Sequence, residues 1–168
     1  MAMVLAIVFG VIALVLIAFA VTALVLRRMA TSRLSEAKRA LEGQQVLEMT
    51  QRANCFGRQS QSMAQLRGNG ILALTATELS FFMLYPKRDH RVGLSTVERV
   101  ETSMWFKGKS VGKELLVVEF GDGRGGQDAF GYWVPDAPTW VEAVRSAATA
   151  AGAVLTVADK PPDPESEG

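Results

Sequence analysis

The sequence holds one cysteine, Cys55, and one histidine, His90, among 168 residues. A lone cysteine excludes an internal disulfide framework and a thiolate metal cluster. One thiol and one imidazole far apart in the chain do not make a zinc spacing. No G-x-S-x-G elbow offers a nucleophilic serine, and His90, between Asp89 and Arg91, reads as a solvated histidine in a charged turn. Cys55 has Arg52 and Arg58 nearby in sequence, yet free cysteine usually behaves as a small packed side chain, and that is the expectation here. No catalytic, cofactor-binding or metal-ligating residue is therefore expected. A net charge of +1 with 21% charged residues gives no general pull toward nucleic acid. No basic helix face carries interleaved aromatics, so nucleic-acid binding is not expected either.

Charge is missing altogether from residues 2–26, where Thr22 is the only polar side chain. A helix rising about 1.5 Å per residue lets such a run cross a hydrocarbon core roughly 30 Å thick. It must be helical, because lipid offers no partner to a bare backbone group. The absence of Lys or Arg before the run, and the run's length, both argue against a cleaved signal peptide, although Ala18-Phe19-Ala20 resembles a cleavage site. Arg27, Arg28, Arg33, Lys38 and Arg39 follow directly, so the positive-inside rule places the N-terminus outside and the C-terminal part in the cytoplasm. Ala6-x-x-x-Gly10 is a small-xxx-small pair through which two such helices could form a homodimer.

Beyond the anchor, residues 31–42 predict a helix with Ser32 and Ser35 as candidate caps and Gly43 as its stop, or a direct continuation of the membrane helix. Residues 44–62 mix polar and apolar side chains without a period, and a partly helical connector is favoured. At Met63 the pattern turns strand-like: MAQLR and ILALT flank Asn69-Gly70, a dipeptide suited to tight hairpins. ELSFFMLY predicts a strand buried on both faces, and PKRDH a polar turn. HRVGL and STVERVETSMWF give two more strands with Val92, Leu94, Val97, Val100 and Met104 facing inward. A loop KGKSVGK leads to the strand ELLVVEF. GDGRGG lacks the helix that a phosphate loop requires after it, so it reads as a hairpin turn before the last strand, QDAFGYWV. Asp136 as N-cap, Pro138 in the first turn and Gly152 at the end frame a helix whose stripe is Trp140, Val144, Ala147, Ala148 and Ala151. VLTV, residues 154–157, predicts a short extended piece, and DKPPDPESEG an acidic, Pro-rich disordered tail.

Several short antiparallel strands closed by one amphipathic helix resemble the pleckstrin-homology (PH) domains, and in particular the PH/GRAM-like modules of small single-span membrane proteins. The residues that carry the resemblance are RGNGILALTATELSFF, ERVETSMWFKGKSVGKELLVVEF and AFGYWVPDAPTWVEAV. It implies a mainly β (α+β) fold: a transmembrane helix, then a seven-stranded antiparallel β-sandwich or barrel capped by a C-terminal α-helix. The expected boundaries are an anchor over residues 1–28, a juxtamembrane helix and connector over 29–62, a PH-like domain over 63–152 and a tail over 153–168. The resemblance also implies a binding module rather than an enzyme, although such a fold licenses no particular partner.

Lys107, Lys109 and Lys113, with Lys87, Arg88 and Arg91, are the candidate contacts for a partner or for lipid, since both groups fall in predicted inter-strand loops. A tight turn at Arg67-Gly68-Asn69-Gly70 would leave no room for the headgroup pocket of lipid-binding PH domains. The sequence thus predicts a tethered adaptor that recruits a protein or peptide partner. Contact between loop cations and anionic lipid headgroups is the alternative.

Overall fold

The computed structural model describes residues 1–61, 67–107, 109–123 and 125–156. Helix α1 (Ala2–Ala40) is continuous over 39 residues. Its segment Phe9–Ala40 is long and apolar enough to cross a membrane. Phe9, Leu14 and Phe19 lie 68–75% exposed along it, as a helix without a polar face requires if its surroundings are themselves apolar. Ser32 and Ser35 do not cap a second helix. They lie inside α1, where the Ser35 hydroxyl donates to the Thr31 carbonyl at 3.0 Å. The chain leaves the helical course at Gly43, whose φ of +81° suits glycine.

The remainder forms one antiparallel sheet and one helix. Its strands are β1 (Val46–Arg58), β2 (Gly68–Thr75), β3 (Glu78–Met83), β4 (Arg88–Gly93), β5 (Val97–Phe106), β6 (Lys109–Gly121) and β7 (Gln127–Trp133), followed by α2 (Ala137–Ala150). Their order across the sheet is β4-β3-β2-β1-β7-β6-β5. This is the expected α+β, mainly β architecture, with the sheet curled over its core and α2 packed into the same core.

Two local expectations fail. Residues 46–58 form β1 rather than a partly helical connector, so the sheet begins well before Met63. Asn69-Gly70 is no hairpin turn. It lies within β2, where Gly70 pairs with Ala53 and the Asn54 amide donates to the Asn69 side-chain oxygen at 2.7 Å. The β1–β2 connection instead spans residues 59–67, of which 62–66, most of the expected MAQLR arm, lie outside the described residues. No tight turn at Arg67–Gly70 therefore narrows that end of the sheet. Gly70 answers a packing demand: a Cβ there would stand 2.4 Å from the Phe81 ring and 2.5 Å from the Phe82 carbonyl.

The inner face gathers Leu72, Leu74, Phe81, Val92, Leu94, Val97, Val100, Leu116, Val118 and Tyr132 into one cluster with Trp140, Val144 and Ala148 of α2. Burial of the Trp140 side chain contributes about 2–3 kcal/mol. Strand alternation puts Phe106, Leu115, Val117 and Ala129 on the other face as a second, smaller cluster. Met104 departs from the expectation: it is 50% exposed, at a register shift between Ser103 and Trp105 that breaks the alternation. Helix α2 begins as its sequence predicts, with the Asp136 carboxylate accepting from the Thr139 amide. It ends in a Schellman turn, where Gly152 at φ +87° donates to Thr149 and Ala153 to Ala148. Arg145 donates from Nε to the Val100 carbonyl at 2.9 Å, and the Thr156 amide to the Glu98 carbonyl at 2.7 Å, so both cover the first half of the β5 edge. Residues 153–156, grouped with the tail by sequence, thus belong to the domain. Residues 157–168 lie outside the described residues.

Tyr132 is fully buried beside Cys55, and its hydroxyl has no hydrogen-bond partner among the described residues. Gly70→Ala is expected to destabilise the domain by about 2 kcal/mol or more through overpacking against Phe81. Tyr132→Phe is expected to fall within about 1 kcal/mol of neutral, or to stabilise, because it removes an unpaired polar group and leaves no cavity. Denaturant titration of the full chain in detergent checks both, and similar losses for the two variants would contradict this account of the core.

Candidate functional site

The six candidate cations fall on strands β4 and β6 and in the turns before them, where two inter-strand loops were expected. Lys87 lies in the β3–β4 turn, while Arg88 and Arg91 lie on β4, opposite Met83 and Ser80. Arg91 is 3.5 Å from the Glu78 carboxylate. At the other end of the strand order, Lys107 occupies the β5–β6 turn, and Lys109 and Lys113 belong to the interior strand β6 rather than to a loop. The side chain of Lys109, like that of Ala6 in the small-xxx-small pair, lies outside the described residues. The Lys107 ammonium is a structural tie: it donates to the Arg58 carbonyl at 3.1 Å and to that of Gln61. The Lys113 ammonium sits 4.9 Å from the centre of the Trp133 ring, within reach of a cation–π attraction.

His90 is not a solvated turn residue. Strand β4 starts at Arg88, and alternation then turns Asp89 and Arg91 outward while His90 is half-buried and Val92 buried. The imidazole lies 5.1 Å from the Phe130 ring and 6.3 Å from Phe81. Burial first, then the Arg88 charge and more weakly Arg58, hold its pKa below the ordinary value against the opposing pull of Asp89. His90, Arg58, Thr96, Phe120, Asp122 and Phe130 are among the residues that line a groove of about 320 Å³. Of the arginines in its lining, Arg58 is fixed from behind. Arg58 lies 5.5 Å from the Phe120 ring centre and donates from Nε to Asp128, whose carboxylate also accepts from the Ser60 amide at 2.9 Å and the Ala129 amide at 2.8 Å. Burial opposes ionisation of Asp128. The hydrogen bonds from Ser60, Ala129 and Arg58 outweigh it, and the pKa falls below the ordinary carboxylate value.

A second groove, about 560 Å³ and open to solvent, runs along the junction of β7 and α2. Trp133, Val134, Ala137, Pro135 and Pro138 give it an apolar floor, with Glu114 and Asp136 also in its lining. Sequence reasoning used Trp133 as a strand residue and Pro138 as a helix starter. It missed that the W-V-P-D-A-P run concentrates rigid apolar groups where a strand hands over to a helix. Cys55, by contrast, meets its expectation. The thiol is buried and its pKa is pushed up to about 11 by burial, so it carries no thiolate at neutral pH. Among the described residues no three His, Cys, Asp or Glu side chains stand together in a metal-holding group.

No family model and no curated protein sequence matches the chain. Among solved structures the chain is similar to one described as the Vps36 N-terminal PH domain, with a TM-score of 0.48 and 16% identity, over 64% of this chain and 81% of that one. It is also similar to a chain of the 8S snRNP assembly intermediate, with a TM-score of 0.45 and 13% identity, over 68% of this chain and 88% of the other.

The two shifted groups, His90 in the first groove and Asp128 behind Arg58, bear on the acid limb of stability. For His90 the folded pKa lies below the unfolded value of about 6.5, so the unfolded state takes up the proton first. Its contribution is fully present above about pH 6.5 and is lost as pH falls through the folded pKa. For Asp128 the contribution is present above about pH 3.9 and is lost as pH falls through the depressed folded pKa. His90→Phe is expected to flatten the first loss and leave the second in place. Denaturant midpoints of the full chain in detergent across this range check it, and an unchanged profile would remove His90 as the cause.

Proposed function

We propose that the chain is a single-pass, membrane-tethered PH-like binding module that recruits a short protein or peptide segment on the cytoplasmic side and does no chemistry on it. The observation that carries this reading is the open groove at the start of α2, where Trp133, Pro135 and Pro138 hold apolar surface beside the carboxylates of Glu114 and Asp136. An apolar floor with acidic groups beside it suits an apolar side chain next to a basic residue, and Trp in a concave, well-supported position is the residue type that most often anchors such contacts. The charge-free stretch supports the tether, and the basic residues after it support the orientation with the N-terminus outside. An anchor of this kind strengthens weak recognition: confinement near the bilayer raises the effective concentration of a membrane-resident partner without any added contact. The buried, protonated Cys55 thiol and the lone imidazole among aromatic rings supply no nucleophile–base pair, which favours binding over catalysis.

The test places a photo-crosslinking residue at Pro135 in the full chain within its native membrane. The expected result is a discrete adduct that withstands salt high enough to screen surface ion pairs. That adduct should drop by about tenfold or more with Trp133→Ala and recover with Trp133→Phe. Adducts that are indifferent to Trp133, or equal to those from a crosslinker at the remote exposed Ser95, would sink the groove as the recruiting surface.

A further inference from the structure

We propose that the end of the β5–β6 hairpin is a bilayer-contact device, in which Met104 and Trp105 enter the interface of an anionic leaflet. Met104 is 50% and Trp105 65% exposed, whereas Val97, Val100 and Phe106 of the same strand are buried. The end of β5 and the start of the turn are held in place. The Phe106 ring lies where a Cβ on Gly131 would be, 3.0 Å away, and Lys107 is tied to the carbonyls of Arg58 and Gln61. Exposure of the two side chains is therefore a fixed feature of the fold rather than a frayed end.

Two observations choose the occupant. The Ser103 hydroxyl accepts from the Trp105 amide at 3.1 Å and donates to the Trp105 carbonyl at 2.8 Å. This closes the strand edge at the point where an added peptide strand would have to bond, and it leaves that backbone satisfied in a medium poor in water. Residues 102–113 also carry Lys107, Lys109 and Lys113 and no acidic residue. That charge suits anionic headgroups and repels a second copy of the same hairpin. Tryptophan favours the headgroup level of a bilayer, where its ring is half in apolar surroundings, and methionine adapts to irregular apolar contacts. The inference rests on the membrane tether of the proposed function and is independent of the α2 groove.

The experiment uses the full chain in nanodiscs of phosphatidylcholine alone or with added phosphatidylglycerol, with a nitroxide on Met104→Cys, on Ser95→Cys as an aqueous control, or on Phe19→Cys to report the anchor. The native Cys55 is fully buried and does not compete for the label. In the anionic discs the label at 104 is expected to become more accessible to oxygen than to a polar nickel reagent, while the label at 95 stays aqueous. Lys109→Gln should lower the ratio of inserted to free label by about fivefold, one charge near the leaflet being removed. A label at 104 that stays aqueous, or that enters both kinds of disc equally, overturns the proposal, as does protection from both reagents with dipolar broadening, the sign of a second copy. A Phe19 label outside lipid would fell the tether and this inference together, and that result is distinct from failure at 104 alone.

Discussion

Strand β1 is the hinge on which the domain closes. It lies between β2 and β7 in the sheet, and no other strand joins β2-β3-β4 to β5-β6-β7. To serve both neighbours it must bend, and it does so through irregularities between Thr50 and Ala53 and between Cys55 and Gly57, the latter at a glycine with φ +107°. Each bulge adds twist and lets the sheet curl over its own inner face. Curling brings β2 and β3 side chains over those of β6 and β7, and α2 fills the space that remains. The end of β1 is then fastened: Arg58 and Ser60 both bind Asp128 of β7, so the departing chain is fixed beside the strand it has just paired with. A buried carboxylate with several donors is stable only as a complete set, which makes that corner all-or-none.

The same strand explains why the fold was only partly legible in sequence. Strands β3 and β7 and helix α2 were readable because each depends on local chemistry: an apolar run, a glycine-rich turn, an Asp cap, a Schellman glycine. Strand β1 was not. Its first half is exposed or half-exposed, its bulges break the period of two, and VLEMTQRANCFGR shows an inward alternation only at Ala53, Cys55 and Gly57. Asn69-Gly70 misled for a related reason. A glycine can be present because the backbone must turn or because another side chain occupies the place of its Cβ, and sequence alone does not separate the two. Here the Phe81 ring decides. Met104 was misplaced because it sits within a register shift, where the alternation of faces is interrupted.

The site was legible in its ingredients and illegible in its assembly. The cations were found, but pairing distributes them between β4 and the β5–β6 hairpin, and the most prominent, Lys107, is spent on backbone carbonyls. His90 could have been recognised by its spacing of two from Val92, the same period that identified the core of other strands. Asp89 and Arg91 on either side concealed it by giving the segment the composition of a turn. The groove at α2 depends on three chain segments meeting, Glu114 from β6, Trp133 from β7 and Pro138 from the helix, and no single window of sequence contains all three.

The division between what is buried and what is shown argues for recognition. Inside, reactive groups are silenced: the Cys55 thiol is held protonated, and burial raises the Tyr132 phenol well above its ordinary value as well. Groups that keep their charge, Asp128 and Arg58, are spent on each other and on fixing the backbone. What reaches the surface is mostly shape: the rings of Trp133 and Trp105, the flexible Met104 and two prolines with little conformational entropy to lose. Strand β6 links these features, since its Glu114 lines the groove and its Ser110 pairs with Trp105 of β5. A partner bound at Trp133 and a surface bound at Trp105 would therefore bear on the same strand.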